Sequence, residues 1–412
     1  MSTVYLTDLS AAGQDWTDER ALAWVADRLS LEVLEEILEG GSSARVYKAR
    51  AGDGGLVAVK VLVEQPGVVD GHDLVSFQSK LTQIEKIRAG APALGARYLP
   101  VLHSVDGGRW AAYTTPFYES EDTAACLREP GGEEAFFRQY TAIVEDLVLQ
   151  GYGVDAVPAP PGYLAKVHIG RFLRRYPILE RSLPAELVGA AELVVNGRLC
   201  QPPRLLLKRL VADGVPWLER MAPARLMFPA HGDANTRNIL VRRDADFRII
   251  DPRGSTDYWD PVYDLAKTLF SLSVWDPALR LGFAIRRPRP GQYEVGFRCP
   301  PYEGYRAAID GFLPYLDGLT ELAALFEGDP HWLQRLLLTH DLHVLAEAPC
   351  RLSDPKPKWD CRGEESSPAA LALGHYLLGT LLINDLAEQL AGGGEPDVDR
   401  HLRLVTKSLP IG

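Results

Sequence analysis

Residues 231–251 read HGDANTRNILVRRDADFRIID, and this stretch decides which fold the chain is expected to adopt. A polar loop with Asp233 and Asn238 leads into a short apolar run, a polar turn, and a second apolar run that ends at Asp251. Two apolar runs around a polar turn predict a β-hairpin. The hairpin would bring two carboxylates and one amide together, and these groups suit phosphoryl transfer from a magnesium nucleotide.

The loop motif His-Gly-Asp-x-x-x-x-Asn resembles that of the aminoglycoside phosphotransferase and choline kinase family. Protein kinases of the eukaryotic type carry Arg at the position of Gly232. The resemblance implies a bilobal, protein-kinase-like α+β fold with a small β-rich N-lobe and a large, mainly helical C-lobe. We expect the N-lobe in residues 1–117 and the C-lobe in residues 118–412. The implied cofactors are ATP and Mg²⁺.

The same resemblance implies a role for each polar residue of the hairpin. Asp233 would be the catalytic group that orients the acceptor hydroxyl, while Asn238 and Asp251 would be Mg²⁺ ligands, since this ion prefers hard oxygen donors. His231 is expected to be structural and to form hydrogen bonds with the loop backbone. The adenine ring would bind the backbone of a linker near Thr114–Tyr118.

A second motif follows the hairpin, DYWDPVYDLA at 257–266. It resembles the family segment Gly-Asp-Pro-x-Tyr-Asp-Leu-Ala, except that Trp259 replaces the usual Gly. Asp260 before Pro261 predicts a helix cap with Pro at the first helical position. The resemblance implies that Asp260 and Asp264 support the site and do no chemistry.

Nucleotide contacts are expected from the N-lobe as well. A Gly-rich turn between two strands can bring backbone N–H groups close to phosphate oxygens, although most such turns are plain hairpin turns. The predicted turn and linker residues are Gly40, Gly41, Ser42, Ser43, Thr115 and Phe117.

Lys60 interrupts the apolar strand VAVKV, so its ammonium group needs a counter-charge or a path to solvent. A solvent-reaching Lys on an edge strand is the simpler alternative. By its place after the Gly-rich turn it resembles the kinase Lys that binds the nucleotide phosphates. We predict Glu85 as its acidic partner, with Asp73 as the competitor.

Hydrophobic periodicity predicts the remaining elements. In the N-lobe it indicates helices at 17–29 and 73–88 and strands at 33–38, 46–50, 56–62, 99–104 and 110–115. In the C-lobe it indicates helices at 133–147, 163–176, 184–195, 203–212, 261–273, 305–327, 331–347 and 368–392. Residues 276–304 are expected to form a loop or a short hairpin.

The residues that determine acceptor specificity are hard to locate from the sequence. Asp341 and Glu347 are our candidates, together with neighbouring His residues on a helical segment at 338–348. The competing interpretation, polar positions on a surface helix, is the stronger one for this segment.

Composition narrows the class of protein. The 412 residues carry 44 Lys and Arg against 55 Asp and Glu, a formal charge of −11, which argues against a nucleic-acid partner. The five cysteines are scattered, without zinc-ligand spacing, and their odd number argues against a disulfide framework. No uninterrupted apolar run of 18 residues and no secretory signal pattern is visible, so we expect a cytoplasmic protein without a membrane partner. We expect a monomer or a homodimer.

These observations predict an ATP- and Mg²⁺-dependent kinase that phosphorylates a hydroxyl of a small molecule. The family resemblance implies a sugar, amino sugar or aminoglycoside-like acceptor first, and a choline- or homoserine-like amino alcohol or other small metabolite second. A protein kinase is disfavoured by Gly232 and by the sequence Pro-Arg-Gly after Asp251. A nucleotide-binding module without activity is the non-enzymatic alternative.

Overall fold

The structure is a computed structural model. It describes residues 3–7, 15–38, 44–65, 73–242, 246–354, 358–360 and 362–409. The predicted Gly-rich turn, residues 40–43, lies outside these ranges.

A six-stranded sheet forms the N-lobe, in the order β1-β5-β6-β4-β3-β2. The strands are β1 Val4–Thr7, β2 Glu32–Ile37, β3 Arg45–Arg50, β4 Leu56–Val63, β5 His103–Asp106 and β6 Trp110–Pro116. Five of them correspond to predicted strands, with β5 displaced toward the C-terminus. β1 was not predicted, because a four-residue strand shows too little alternation; it pairs in parallel with β5.

Side chains along β4 alternate between an apolar outer face of the sheet and a face that lines a cleft. Val57, Val59 and Val61 are buried on the outer face, in one cluster with residues of helix α1 (Asp18–Leu29). Ala58 and Lys60 face the opposite side and line a cleft. Successive strand residues point to opposite faces, so the apolar strand can carry one Lys without placing it in the outer core.

Helix α2 (Leu74–Gly90) packs on the cleft side of the sheet, followed by the short helix α3 (Pro92–Gly95). The Asp73 side chain caps α2 by accepting a hydrogen bond from the Ser76 N–H at 2.8 Å. Asp73 therefore has a local structural role at the start of this helix.

The predicted hairpin is confirmed. Strands β12 (Ile239–Val241) and β13 (Phe247–Ile249) are antiparallel, and β7 (Glu121–Asp122) pairs with the outer side of β12. The Ile249 N–H donates to the Arg97 carbonyl at 2.9 Å, so the hairpin is tied to the segment that leads from α3 into the N-lobe sheet.

The C-lobe is mainly helical. Its helices are α4 Gly132–Leu147, α5 Gly170–Ser182, α6 Ala185–Val188, α7 Pro203–Ala212, α8 Pro216–Arg220, α9 Val262–Phe270, α10 Asp276–Leu281, α11 Glu303–Asp317, α12 Thr320–Leu325, α13 Trp332–Leu352, α14 Pro368–Ala391 and α15 Val398–Arg403. Its other strands are β8 Asp155–Pro158, β9 Leu193–Val195, β10 Arg198–Cys200, β11 Arg225–Phe228, β14 Phe283–Arg289 and β15 Gln292–Phe297.

The predicted helix at 184–195 is wrong. Only the one-turn helix α6 forms, and the chain then enters the β9–β10 hairpin. Asn196 and Gly197 connect these strands with φ angles of +50° and +81°. Asn-Gly between β-branched or apolar residues is a strong hairpin signal, and it overrides the helical spacing here.

Helices α13 and α14 form the centre of the C-lobe. α14 is apolar enough to cross a membrane by length and composition, but 78% of its most apolar window is buried within the structure, against α13 and neighbouring elements. The expectation of a surface helix at 338–348 is wrong, because every residue from Gln334 to Arg351 is buried. α13 packs against α5, α9 and α14, which leaves it no broad solvent-facing side.

Candidate active site

A cleft of about 530 Å³ lies between the sheet and the helical lobe. Seven of the twelve predicted site residues that the structure describes line it. They are Lys60, Thr115, Phe117, Asp233, Asn238, Asp251 and Glu347.

The loop before the hairpin is held from below by Asp264, in the first turn of α9. One oxygen of Asp264 accepts the His231 N–H at 2.8 Å, and the other accepts the Gly232 N–H at 2.7 Å. The Tyr152 hydroxyl donates a third bond at 2.8 Å. Burial raises the pKa of Asp264, while these three hydrogen-bond donors oppose that rise. The predicted support of the loop backbone is present.

His231 has the predicted structural geometry. Its Nδ1 accepts the Asp233 N–H at 3.0 Å, so Nε2 carries the proton and donates to the Ile250 carbonyl at 2.9 Å. The ring thereby joins the catalytic loop to the end of β13, and both ring nitrogens are occupied.

Gly232 occupies a position that favours glycine for two reasons. Its φ angle is +78°, in the left-handed region. A Cβ atom there would also lie 2.8 Å from the Cβ of Arg253. Any side chain at this position would therefore strain the loop and displace Arg253.

Asp233 projects into the cleft between two fixed groups. Its Oδ1 lies 3.1 Å from the Lys267 ammonium, and its Oδ2 accepts a hydrogen bond from the Asn238 amide at 3.2 Å. Burial raises the pKa of Asp233, but the Lys267 ammonium outweighs it and holds the pKa below its ordinary value. A carboxylate that stays ionised can accept a hydrogen bond from a hydroxyl and orient it.

Asp251, at the end of the C-lobe hairpin, contacts two lysines of the N-lobe. Its two oxygens lie 2.8 Å from the Lys60 ammonium and 2.6 Å from the Lys80 ammonium. Burial opposes ionisation, yet the two lysines hold the pKa of Asp251 far below its ordinary value. Its φ of +55° is rare for a residue other than glycine, and such backbone strain is typical of functional sites.

The predicted pair between Lys60 and Glu85 is wrong. Glu85 is exposed and accepts a hydrogen bond from the Tyr5 hydroxyl at 2.6 Å. Lys80 occupies the cleft-facing side of α2, and a residue five positions later lies about 140° around the helix. Glu85 therefore points away from the cleft, and Asp251 takes its predicted place.

The donor set fits a hard divalent cation. Asp251 offers a carboxylate, and Asn238 offers an amide whose nitrogen is turned toward Asp233. That orientation leaves the amide oxygen as the atom that Asn238 presents to a cation. Oxygen donors of this kind suit Mg²⁺.

Thr115 and Phe117, at the end of β6, line the cleft as the linker prediction requires. The Phe117 N–H donates to the Leu56 carbonyl at 2.9 Å. That N–H is therefore committed to the sheet, and an adenine ring would meet Phe117 through its side chain.

Asp260 supports the start of α9. Its carboxylate accepts the Val262 N–H at 3.1 Å and pairs with the Arg335 guanidinium at 2.8 Å. Helix α9 begins at Val262, one residue later than predicted, because Pro261 occupies the cap position.

Of the two acceptor candidates, Asp341 is wrong. Its Oδ1 accepts hydrogen bonds from His340 at 2.9 Å and His401 at 3.1 Å, inside the C-lobe and away from the cleft. Burial alone would lower the pKa of His401, but Asp341 and Asp385 raise it to about 9. These groups have a spacing that could hold a metal ion, yet the charged His401 imidazolium already pairs with Asp341, and Asp385 is also paired with Arg198 and Arg400.

Glu347 does reach the cleft wall. It accepts a hydrogen bond from the Trp275 indole at 2.8 Å and pairs with Arg351 at 2.8 Å. Its charge is thus already compensated by a protein cation.

Sequence reasoning identified only Lys60 among the ten Lys and Arg that line the cleft, and the cations it missed include Lys80, Arg171, Arg253 and Lys267. Lys267 could have been found, because it lies one helical turn after Asp264 and so faces the same loop. The others reach the cleft through tertiary packing and carry no local signal.

With this geometry, the chain has the protein-kinase-like fold of small-molecule phosphotransferases. The amicoumacin kinase in complex with AMP-PNP, Ca²⁺ and Ami matches with a TM-score of 0.51 and 10% identity, over 90% of this chain and 97% of that one. Plasmodium vivax ethanolamine kinase matches with a TM-score of 0.47 and 12% identity, over 91% of this chain and 93% of that one. Aminoglycoside-3'-phosphotransferase of type VIII matches with a TM-score of 0.43 and 18% identity, over 77% of this chain and 98% of that one. Neither a sequence-family model nor a curated protein matches the chain.

Proposed function

We propose that this protein is an ATP- and Mg²⁺-dependent kinase that transfers the γ-phosphate to a hydroxyl of a small molecule. The observation that carries the proposal is the convergence of Asp233, Asn238 and Asp251 in one cleft, with Lys60 and Lys80 on Asp251. Phosphoryl transfer depends mainly on positioning and on charge neutralisation, and this arrangement supplies groups for both.

Each group has a defined task in this proposal. Asp233 orients the hydroxyl, and Asn238 and Asp251 would hold Mg²⁺, which supplies charge neutralisation at the phosphates. Lys60 and Lys80 bind the nucleotide phosphates. Thr115 and Phe117 line the adenine end of the cleft. Cytoplasmic placement and a monomeric or homodimeric state remain predictions from the sequence.

The direct test is Asp233→Asn, compared with Asp257→Asn, which makes the same substitution at an exposed position outside the cleft. ADP release is measured over sugars, amino sugars, aminoglycosides, nucleosides and amino alcohols, and AMP-PNP binding is measured in parallel. We expect Asp233→Asn to bind AMP-PNP with Mg²⁺ but to lose transfer at least a hundredfold, with Asp257→Asn unchanged.

Two results would contradict the proposal. One is a wild-type protein that does not bind AMP-PNP in the presence of Mg²⁺, and the other is transfer by Asp233→Asn at the wild-type rate. Nucleotide binding by the wild type without transfer to any acceptor class would favour the inactive-module alternative.

A further inference from the structure

Helix α2 presents a lysine to the cleft, where the sequence predicted an acidic partner for Lys60. Lys80 is 7% exposed, and its ammonium lies 2.6 Å from Asp251 Oδ1. The Lys60 ammonium lies 2.8 Å from Asp251 Oδ2. Each oxygen of this carboxylate therefore contacts an ammonium group, and the cleft holds two buried cations around one acid.

The packing of α2 fixes Lys80 in this position. One helical turn further along, the buried Gln83 side chain donates to the Ala230 carbonyl at 2.8 Å and accepts the Gly254 N–H at 2.6 Å. Gly254 has a φ of +91°, and a Cβ atom there would lie 2.9 Å from the Ser76 carbonyl oxygen. The helix is thus joined to the chain on both sides of the catalytic hairpin. A rotation that removed Lys80 from the cleft would break these contacts.

Asp251 is also one of the two groups that would hold Mg²⁺, together with Asn238. In protein kinases an Asp and an Asn of this kind hold two Mg²⁺ ions, which neutralise charge on the phosphates. Here Lys80 and Lys60 compete with metal ions for the Asp251 oxygens. The other carboxylate of the motif, Asp233, contacts the Lys267 ammonium at 3.1 Å. In the part of the cleft that the structure describes, this donor set suits one divalent cation better than two.

Lys80 can supply the positive charge that a second divalent cation would bring. When a cation binds Asp251, phosphate oxygens are the acceptors that Lys60 and Lys80 need. An ammonium group binds phosphate as a point charge and requires no fixed orientation. A second divalent cation would instead lie beside a buried ammonium group, and the two like charges would repel each other.

We propose that Lys80 takes the place of a second divalent cation, so that the nucleotide binds with a single Mg²⁺. This inference rests on the proposed kinase function and defines the metal requirement of the same site. It makes Lys80 a phosphate-binding residue that reduces the number of metal ions, and it explains why α2 is held so firmly against the hairpin.

The binding test counts metal ions with Mn²⁺ as the probe. Electron paramagnetic resonance measures the free ion and distinguishes a single bound Mn²⁺ from a magnetically coupled pair. The full-length protein is saturated with AMP-PNP and titrated with Mn²⁺. The variants are Lys80→Met, which removes the charge, and Lys80→Arg, which keeps it. The matched control is Lys86→Met, an exposed lysine on the same helix outside the cleft.

We expect one bound Mn²⁺ per nucleotide complex in the wild type, in Lys80→Arg and in Lys86→Met. Lys80→Met should bind a second Mn²⁺, and the two ions should give a coupled spectrum. Binding of AMP-PNP by Lys80→Met would show that the site still folds, and Lys80→Gln replaces it if it does not. Two ions in the wild type would overturn the inference, and so would a single ion in a Lys80 variant that has lost the charge but binds AMP-PNP.

The dependence of ADP release on free Mg²⁺ is a second readout. At saturating MgATP the wild type should gain nothing from additional free Mg²⁺, whereas kcat of Lys80→Met should rise about tenfold as the second ion binds. Equal responses of the two proteins to free Mg²⁺ would count against the role of Lys80.

These outcomes are separable from failure of the kinase proposal. A wild-type protein that binds AMP-PNP with neither Mg²⁺ nor Mn²⁺ would refute the kinase proposal itself. A coupled pair of Mn²⁺ ions in a wild type that transfers phosphate would refute only the single-metal inference.

Discussion

Replacing Lys267 with Met tests how the protein controls the ionisation of Asp233. The Lys267 ammonium lies 3.1 Å from Asp233 Oδ1. At this distance the attraction is about 1 kcal/mol in water-like surroundings and about 5 kcal/mol at an effective dielectric constant of 20. The Asp233 side chain is 36% exposed, so the lower part of this range applies. The variant should therefore raise the pKa of Asp233 by about 1 to 2 pH units.

Because Lys267→Met raises the pKa of Asp233, the variant should lose activity at low pH before the wild type does. In the wild type, the pKa of Asp233 is below its ordinary value, so we expect activity to persist into the acidic range. In Lys267→Met, the carboxylate becomes protonated at higher pH, and the acidic limb of the kcat profile should move up by about 1 to 2 pH units.

The assay is ADP release from MgATP between pH 4 and pH 9, with the acceptor that the screen identifies. Lys267→Arg keeps the charge and should leave the limb near its wild-type position. Lys208→Met, an exposed change on α7, controls for the loss of a lysine as such. An acidic limb that stays in place in Lys267→Met would refute the assigned coupling.

Three further outcomes are expected. Asp264→Asn should lower the free energy of unfolding by about 2 kcal/mol and reduce kcat at least tenfold, because two loop N–H groups lose a charged acceptor. An unchanged free energy of unfolding and an unchanged kcat would show that Asp264 does not support the loop. Gly232→Ala should cost about 1 to 2 kcal/mol at its positive φ and reduce activity through Arg253, and wild-type melting would contradict this. The pKa of His401 is about 9, so His401 should contribute about 3 kcal/mol to the free energy of unfolding below pH 6.5 and lose this contribution as the pH rises through about 9. In denaturant titrations at pH 6 and pH 9.5, His401→Gln should lack this dependence.

The parts of the site that lie close together in sequence could be predicted. Asp233, Asn238 and Asp251 belong to one hairpin, so local turn and strand preferences are enough to bring them together. The support role of Asp264 and the bilobal fold were implied by the resemblance of the two motifs to the phosphotransferase family, and the residues alone did not establish them.

Residues whose partners are distant in sequence could not be placed. The partner of Lys60 depends on how α2 is rotated against the sheet, and a rotation that brings Lys80 into the cleft sends Glu85 to the surface. The burial of Asp341 depends on α14 and α15 covering α13. Arg171 and Arg253 meet at the Tyr263 hydroxyl because α5 approaches the loop after β13, an arrangement that periodicity does not encode.

The two lysines on Asp251 have a thermodynamic consequence for the order of ligand binding. A cation that takes the Asp251 oxygens competes with Lys60 and Lys80, and it leaves two buried ammonium groups without a counter-ion unless phosphates arrive with it. Phosphates alone would instead add negative charge beside Asp251. Each ligand therefore removes the cost of binding the other, and linkage requires this cooperativity to be reciprocal. Nucleotide affinity should rise with Mg²⁺ concentration, and Mg²⁺ affinity should rise with nucleotide by the same factor.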